Sequence, residues 1–481
     1  MLIISDKKQL AEDYGIYLRD ESRVQGEAER LVFPANEDEI AAVLKEASSS
    51  RMPATVSNAR TGITAGAVPQ GGVILSLEKL KKISLKEPAS LSVQAGVTLD
   101  EINAFLKKEK PDYFYPVDPT ETSSAIGGNI ATNASGAQSY HYGPTRNWVK
   151  KISVILPQGG KLEIERGKTF ADGGKLSFKG YSLLLPKLRK ISAKNTAGYF
   201  VAEGMDLIDL FIGSEGTLGV ITSAEMKIIP RPENILILLS FFPSAADALG
   251  FFHSAKKELK NVLAYEFFDE DALKLLKKEF TVPESRGAIF FEKIVEDFDS
   301  ETLAIERLLE AHNSSMENVW AGESESEQEK IKKFRHHVPE AVNSLIAQFK
   351  QKYPEINKAG TDIAVPEEKL EEMMLFYYKR CREEKINSVL FGHIGESHLH
   401  LNMLPENSEQ FKKAKLLGHE FAKKGIELGG TFTGEHGVGK LKRDFMRYLY
   451  SEEELKGMFA IKKILDPNLI LNRGNIFPEG L

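Results

Sequence analysis

The spacing of apolar positions changes along this chain, and each change marks an element. Leu31-Val32-Phe33 is a short apolar run stopped by Pro34, which predicts a strand, and residues 1 to 30 before it read as a mostly helical lead-in. Asn36 to Ser48, NEDEIAAVLKEAS, then sets apolar residues at helical spacing behind a capping Asn36 and an acidic first turn. Strands are predicted at Ala54 to Ser57 and Val73 to Leu77, with the small-residue loop NARTGITAGAVPQGG between them, so the chain opens as a β-α-β unit. From Ile235 the texture shifts: ILILLSFF reads as a buried strand, AADALGFFHSAKKEL as a helix and AIFFEKI as another strand. Glu317 to Lys333 is so highly charged that it reads as a solvated helix or loop. The end, ELKGMFAIKKILDPNLILNRGNIFPEG, reads as a helix, a turn at Asp466-Pro467 and an extended tail.

The strictest alternation lies in GHIGESHLHLN, Gly392 to Asn402. In a strand, His398, His400 and Asn402 share one face while Leu399, Leu401 and Met403 take the other. His393 stands seven residues before His400, an offset that puts the two on opposite faces of an ideal strand. Both reach one ion only if Gly395-Glu396-Ser397 bends the chain. Five of the ten histidines fall between His393 and His436, and the second motif of that window is GGTFTGEHGVGK, Gly429 to Lys440. Metal sites that stay open to substrate commonly use two imidazoles and one carboxylate, so Glu435, in its glycine loop, is the best third ligand and His436 a candidate base. Gly434 to Lys440 also fits a phosphate-loop skeleton, but Leu441 offers no hydroxyl for Mg²⁺, which argues against a nucleotide triphosphatase.

Two further small-residue segments suit a different ligand. Asn58 to Gly66 and Gly127 to Gly136 let backbone N–H groups approach pyrophosphate oxygens and together can enclose a dinucleotide. Gly213, Gly216 and Gly219 lack the spacing of a Rossmann fingerprint and come late in the chain, so an NAD site of that type is not supported.

Length and composition narrow the class. At 481 residues the chain exceeds one ordinary core, giving a prior of about two to four domains, the first ending near Pro230-Arg231-Pro232. With 42% hydrophobic and 27% charged residues it belongs with soluble globular proteins, and a net charge of −6 gives no electrostatic case for nucleic-acid or anionic-membrane binding. The single Cys381 excludes an intramolecular disulfide and a cysteine-built metal centre, which points to a reducing compartment. The start, MLIISDKKQL, is too short an apolar run for a signal peptide, and no window approaches the roughly 18 to 20 apolar residues of a transmembrane helix. A cytoplasmic protein is expected, with peripheral contact at the inner membrane compatible.

Taken in order, VFPANEDEIAAVL, TGITAGAVPQGG, DPTETSSAIGGNIATNASG, GSEGTLGVIT, GHIGESHLHLN, TGEHGVG and LDPNLILNRGNIF resemble the FAD-binding oxidoreductases of the vanillyl-alcohol oxidase and p-cresol methylhydroxylase type. The branch is that of D-lactate dehydrogenases, glycolate oxidase flavin subunits and D-2-hydroxyglutarate dehydrogenases. The resemblance implies an α+β architecture: a two-subdomain FAD-binding domain over residues 1–230, an α+β substrate-binding cap over 231–425, and a segment over 426–481 that returns to the flavin. It implies FAD, held non-covalently because the first glycine loop lacks a histidine. Asn58, Ala59, Arg60, Thr61 and Gly62 would lie at the pyrophosphate together with residues of the next motif, Pro119, Thr122, Gly127, Gly128, Asn129, Thr132, Asn133 and Gly136. Glu215, Gly216, Gly219 and Ile221 would lie along the adenosine side, and Asn472 near the flavin.

By the same resemblance His393, His400 and Glu435 bind a divalent metal, zinc in the first place and manganese or iron as alternatives, and His436 is the base. Arg335 would hold the substrate carboxylate, Asn402 would be a polar contact and Lys358 a second anchor. The implied activity is oxidation of a small D-2-hydroxyacid to the 2-oxoacid with hydride passing to flavin N5. Electrons would then leave to a separate acceptor: an electron-transfer flavoprotein, an iron–sulfur subunit or a quinone. Two other readings remain, a non-redox flavoenzyme resembling alkyl-dihydroxyacetone-phosphate synthase and a flavin subunit of an electron-transfer complex; a homodimer is compatible with each. Some positions depart from the family pattern. Asn58 and Arg60 replace glycines, Ser397 replaces a glycine, His398 stands where much of the branch has asparagine, and His336 replaces a frequent glutamate.

Overall fold

A computed structural model of the protein describes residues 1–322 and 324–481; Glu323, within the charged Glu317 to Lys333 stretch, lies outside the described residues. The β-α-β opening forms because the strands Arg30–Phe33 and Ala54–Ser57 both pair in parallel with Val73–Ser76. The crossover helix Glu37–Ser50 is capped by Asn36, whose side chain accepts from the Glu39 N–H. Its Ile40, Val43, Leu44 and Ala47 recur at helical spacing and pack on that sheet. The lead-in is less helical than its sequence suggests. Leu2–Ile4 is a strand paired antiparallel with residues 31–33, and only Lys7–Glu12 and a 3₁₀ turn at Gly15–Leu18 are helical, because the apolar run Leu2-Ile3-Ile4 completes the open edge of the sheet.

A second sheet, of five strands, is antiparallel throughout and runs in the order Ile83–Lys86, Ser90–Gln94, Val220–Lys227, Val149–Ile155, Lys161–Glu165. Against it lies the short helix Ile126–Thr132, formed by the start of the small-residue segment. Gly127 permits this contact: a Cβ there would stand 2.6 Å from the Ala95 Cβ.

The third sheet has seven strands and is drawn from residues 235–403. Its central strands Ile235–Phe242, Val262–Asp269 and Gly287–Ile294 are almost wholly buried because helices cover both faces. Glu317 to Lys333 is in part a solvated helix, as its charge suggests. Val319–Gly322 is an edge strand, and Glu325–Lys352 is a helix of 28 residues. Ile331, Phe334, Val338, Val342 and Ile346 form a narrow buried stripe along it, and the surrounding charges hide that stripe from a reading of composition.

The C-terminal chain comes back to the first sheet after the helix Glu452–Leu465. Ala54 N–H donates to Ile470 O at 2.8 Å and Asn472 N–H to Ala54 O at 2.9 Å, adding a short parallel bridge. Among the described residues no helix is long and apolar enough to cross a membrane.

Candidate active site

A hairpin assembles the histidines. Ser388–His393 and His398–Met403 pair antiparallel with His393 opposite His398 and Phe391 opposite His400, and directly opposed residues share a face. His393 therefore joins His398 and His400 by sitting on the neighbouring strand, so the expected bend at Gly395 to Ser397 is the hairpin turn itself: a 3₁₀ turn over Ile394–Glu396, followed by Ser397 at φ +53°. Leu399, Leu401 and Met403 face the core as the alternation requires. Two glycines make room for the rings. A Cβ on Gly392, already at φ +121°, would lie 2.8 Å from the His400 ring, and one on Gly434 would lie 2.8 Å from the His398 ring.

The Glu435 carboxylate sits where the rings meet. Its oxygens lie 3.4 Å from His393 Nε2, 3.7 Å from His398 Nδ1 and 3.2 Å from His400 Nε2. The far nitrogen of each ring is braced: His393 Nδ1 on Glu266 at 2.8 Å, His398 Nε2 on Asp362 at 2.9 Å and His400 Nδ1 on the Thr361 carbonyl at 3.3 Å. His436 Nδ1 lies 3.1 Å from Asp362 Oδ1 and its Nε2 3.6 Å from Glu435 Oε1. Lys194, donating to Glu396 at 2.7 Å and Glu435 at 3.0 Å, closes the other side with Ser135.

The electrostatics follow from burial working against pairing. Burial disfavours charge on Glu435, but Lys194 and the surrounding imidazoles hold its pKa well below the carboxylate range. Asp362 behaves alike: burial opposes its charge, and His436 and Lys442 outweigh it. His393 is pushed up to about 10 by Glu266 and Glu435 despite its burial, whereas burial drives His398 down to about 3 and keeps it neutral.

Glu266, Asp362 and Lys194 were not singled out from the sequence. Glu266 leaves a trace there, a lone carboxylate inside the apolar run VLAYEFF. Asp362 and Lys194 lie in segments of ordinary polarity and leave none.

A cleft of about 160 Å³ runs beside this cluster. Of the residues expected at a dinucleotide, Asn58, Ala59, Arg60, Thr61, Gly62, Gly127, Gly128, Asn129, Thr132, Glu215, Gly216, Gly219, Ile221 and Asn472 line it, and so does His436. Pro119, Thr122, Asn133 and Gly136 do not line it; Asn133 instead borders a separate cavity of about 400 Å³ next to Lys194 and Glu396. Several lining residues also staple the cleft together. Glu215 accepts from the Val438 and Gly439 N–H groups, each at 2.7 Å, which ties the Glu435-His436 loop to the cleft wall. The Asn472 amide accepts from Val56 N–H at 2.8 Å and donates to Glu215 O at 2.7 Å. In place of glycines, Asn58 donates to Ala95 O, and Arg60 itself takes φ +61° with its guanidinium 4.2 Å over the Tyr17 ring.

Arg335 is 10% exposed and pairs through Nε with Glu266 at 3.2 Å, so it joins the cluster through the partner of His393. Its neighbour Asp118 is driven up to about 7, burial and Glu292 raising it and Arg335 lowering it. Asn402 lies on the histidine strand against Gly360. Lys358 is exposed just before that strand pair and has no hydrogen bond or ion pair among the described residues.

Comparison with known proteins fits this geometry. Residues 28–165 match the family described as FAD binding domain, and residues 231–476 match FAD linked oxidases, C-terminal domain. The chain is 30% identical to a D-lactate dehydrogenase of Anaerostipes hadrus, over 96% of this chain and 92% of that protein. It is also 30% identical to a D-2-hydroxyglutarate dehydrogenase of Stutzerimonas stutzeri (93% and 90% covered) and to glycolate oxidase subunit GlcD of Bacillus subtilis (95% and 90%). The solved structure of an alkyldihydroxyacetonephosphate synthase superposes with a TM-score of 0.68 at 16% identity, covering 98% of this chain and 81% of that one, a likeness of fold. With a cleft walled by the expected glycine segments, and with family matches at both ends of the chain, the protein belongs to the FAD linked oxidases and is an FAD-dependent oxidoreductase.

Proposed function

We propose that this protein oxidises a D-2-hydroxyacid of the D-lactate, glycolate or D-2-hydroxyglutarate class to the 2-oxoacid, using FAD and a divalent metal held by His393, His400 and Glu435. The observation that carries the reading is the position of His436, which lines the cleft suited to FAD while its Nε2 stands 3.6 Å from Glu435 in the imidazole cluster. The donor set suits a divalent cation: His393, His398, His400 and Glu435 each offer one ligand atom, all within 4.8 Å of one another. The cleft suits FAD: Gly62 and Gly128 line it, and a Cβ on either would meet no atom of the described residues within 4 Å, which leaves backbone open to a ligand.

When bound, FAD supplies the acceptor for the C2 hydride and the divalent ion supplies the Lewis acidity that makes the substrate hydroxyl easier to ionise. The chain supplies the rest. Asp362 holds the His436 ring through Nδ1, which leaves Nε2 to take the hydroxyl proton and stabilises the imidazolium that results. Arg335, oriented by Glu266, presents its guanidinium to the substrate carboxylate, and Asn402 offers an amide from the histidine strand. Electrons then pass to a separate acceptor of the electron-transfer flavoprotein, iron–sulfur or quinone type, since one buried cysteine cannot build a cluster in this chain. A cytoplasmic site, with contact at the inner membrane, accords with that partner.

The division at residues 230 and 425 belongs to the same reading. The C-terminal family match beginning at residue 231 supports the first boundary, and the helix Ser408–Glu427, ending just past residue 425, supports the second.

Anaerobic mixing with a panel of D- and L-2-hydroxyacids, before and after chelation, tests the proposal. Metal-dependent bleaching of the flavin by a D-acid or glycolate is expected; bound FAD that no hydroxyacid reduces would sink it. Arg335→Ala is expected to raise KM about 10- to 100-fold with a smaller change in kcat, the loss of a charge-assisted contact to the carboxylate. His400→Ala is expected to leave the purified protein without its metal. Metal content and turnover that both survive the change would show that the ligand set is wrong.

A further inference from the structure

We infer that His398 is a fourth protein ligand, so that the site is a three-histidine, one-glutamate cage that works with a six-coordinate ion such as Mn²⁺ or Fe²⁺ rather than with four-coordinate Zn²⁺. The inference rests on the metal-assisted reading above and goes beyond its set of His393, His400 and Glu435.

Three observations carry it. The His398 side chain is 0% exposed, and its Nδ1 is buried without a hydrogen-bond partner among the described residues. Such an atom costs free energy unless something occupies it. Its proton position follows from the other nitrogen: Nε2 lies 2.9 Å from Asp362, an acceptor-only carboxylate when ionised, so Nε2 carries the hydrogen and Nδ1 presents a lone pair. That lone pair lies 3.7 Å from the Glu435 carboxylate, and His398 offers one ligand atom to a group with His393, His400 and Glu435, all within 4.8 Å of one another.

The second observation is the shared construction of the rings. In His393 and His400, as in His398, the nitrogen away from Glu435 is braced by an oxygen, from Glu266, Thr361 or Asp362. Braced imidazoles of this kind are typical of metal ligands, because the outer bond fixes tautomer and ring orientation. A spectator histidine would need no such alignment toward the same carboxylate. The third is proximity: the His398 and His400 ring centroids are 4.6 Å apart and those of His393 and His398 5.7 Å.

The consequence concerns the choice of ion. Four protein ligands around zinc close its preferred tetrahedron, as in structural sites, and leave no position for a substrate. An ion that accepts six ligands keeps two positions for the hydroxyl and carboxylate oxygens of a hydroxyacid, and mixed nitrogen and oxygen sets of that number suit Mn²⁺ or Fe²⁺. His398, standing where asparagine is frequent in this branch, is thus a specificity-determining residue for the metal.

The test uses the FAD-loaded full chain, stripped of metal and titrated with Mn²⁺, Co²⁺ or Zn²⁺. X-ray absorption at the metal edge should count three imidazoles in the unaltered protein and two in His398→Asn. The same variant should bind Mn²⁺ at least about 10-fold more weakly by calorimetry, since ligand loss costs no less than loss of an outer partner. Zinc loading should suppress flavin reduction that Mn²⁺ supports. Two imidazoles in the unaltered protein, or unchanged Mn²⁺ affinity in a variant that retains FAD, would overturn the inference while leaving the metal-assisted reading intact. Absence of binding by all three ions would overturn both.

Discussion

His436→Ala is expected to lower kcat by about 10²- to 10⁴-fold, the usual contribution of a positioned general base, with KM changed far less. The ring is 31% exposed along its open side, which lines the FAD cleft, and its back is held 3.1 Å from Asp362. Loss of the ring removes the proton acceptor and leaves the Glu435 cage, the Arg335 pair and the glycine cleft in place, so substrate should still bind. Rapid-reaction measurement of flavin reduction isolates the step. A reduction rate within a few-fold of the unaltered protein, with FAD fully bound, would remove His436 from the base role. His436→Gln, which keeps a polar side chain of similar size but cannot accept a proton at neutral pH, should fail as badly as alanine.

Asp362→Ala is expected to destabilise the fold by about 3–5 kcal/mol, as breaking a buried ion pair from one side does. The reason is the number of groups that depend on this one carboxylate. It is 4% exposed and accepts from Lys442 at 2.6 Å, Thr433 at 2.7 Å, His398 at 2.9 Å and the His436 N–H at 3.1 Å. Without it, Lys442 loses its ion-pair partner, and two imidazoles lose the bonds that orient them. Urea unfolding should show the loss in the midpoint with little change in slope. Asp362→Asn, which preserves shape but removes the charge, should fall between alanine and the unaltered protein.

The same carboxylates set the acid limit. Asp362 and Glu266 have folded pKa values below their unfolded ones, Glu266 held down to about 2 by His393 and Arg335 although burial opposes it. A depressed carboxylate contributes stability that is fully present above its unfolded pKa and lost as pH falls through its folded value. Stability of the metal-free protein should therefore decline below about pH 4 and continue falling toward about pH 2. Flat stability over that interval would mean the pairs do not form in solution.

Where sequence reading succeeded, local chemistry was decisive. An Asn cap with acidic residues behind it, a short apolar run stopped by proline, and apolar residues at helical spacing are statements about neighbouring residues, and the strands Arg30–Phe33 and Ala54–Ser57 and the helix Glu37–Ser50 lie where those statements put them. Side-chain alternation likewise put His398, His400 and Asn402 on one face, because strand periodicity is a property of the backbone alone. The length and buried stripe of the helix Glu325–Lys352 escaped since that stripe is a minority of a charged sequence, and the partner that buries it is a sheet whose strands are scattered across the chain.

Sequence by itself thus determined the residue types of the site, the glycines that clear space around them, the order of segments that identifies the family, and the short-range elements that carry them. Tertiary structure decided which atoms meet. The hairpin register put His393 beside His398; a strand more than a hundred positions away in the chain supplied Glu266 to His393; and Asp362 was brought between His398 and His436. The physical reason is that the partner of a buried charge is set by packing between elements distant in sequence, which no periodicity along the chain records.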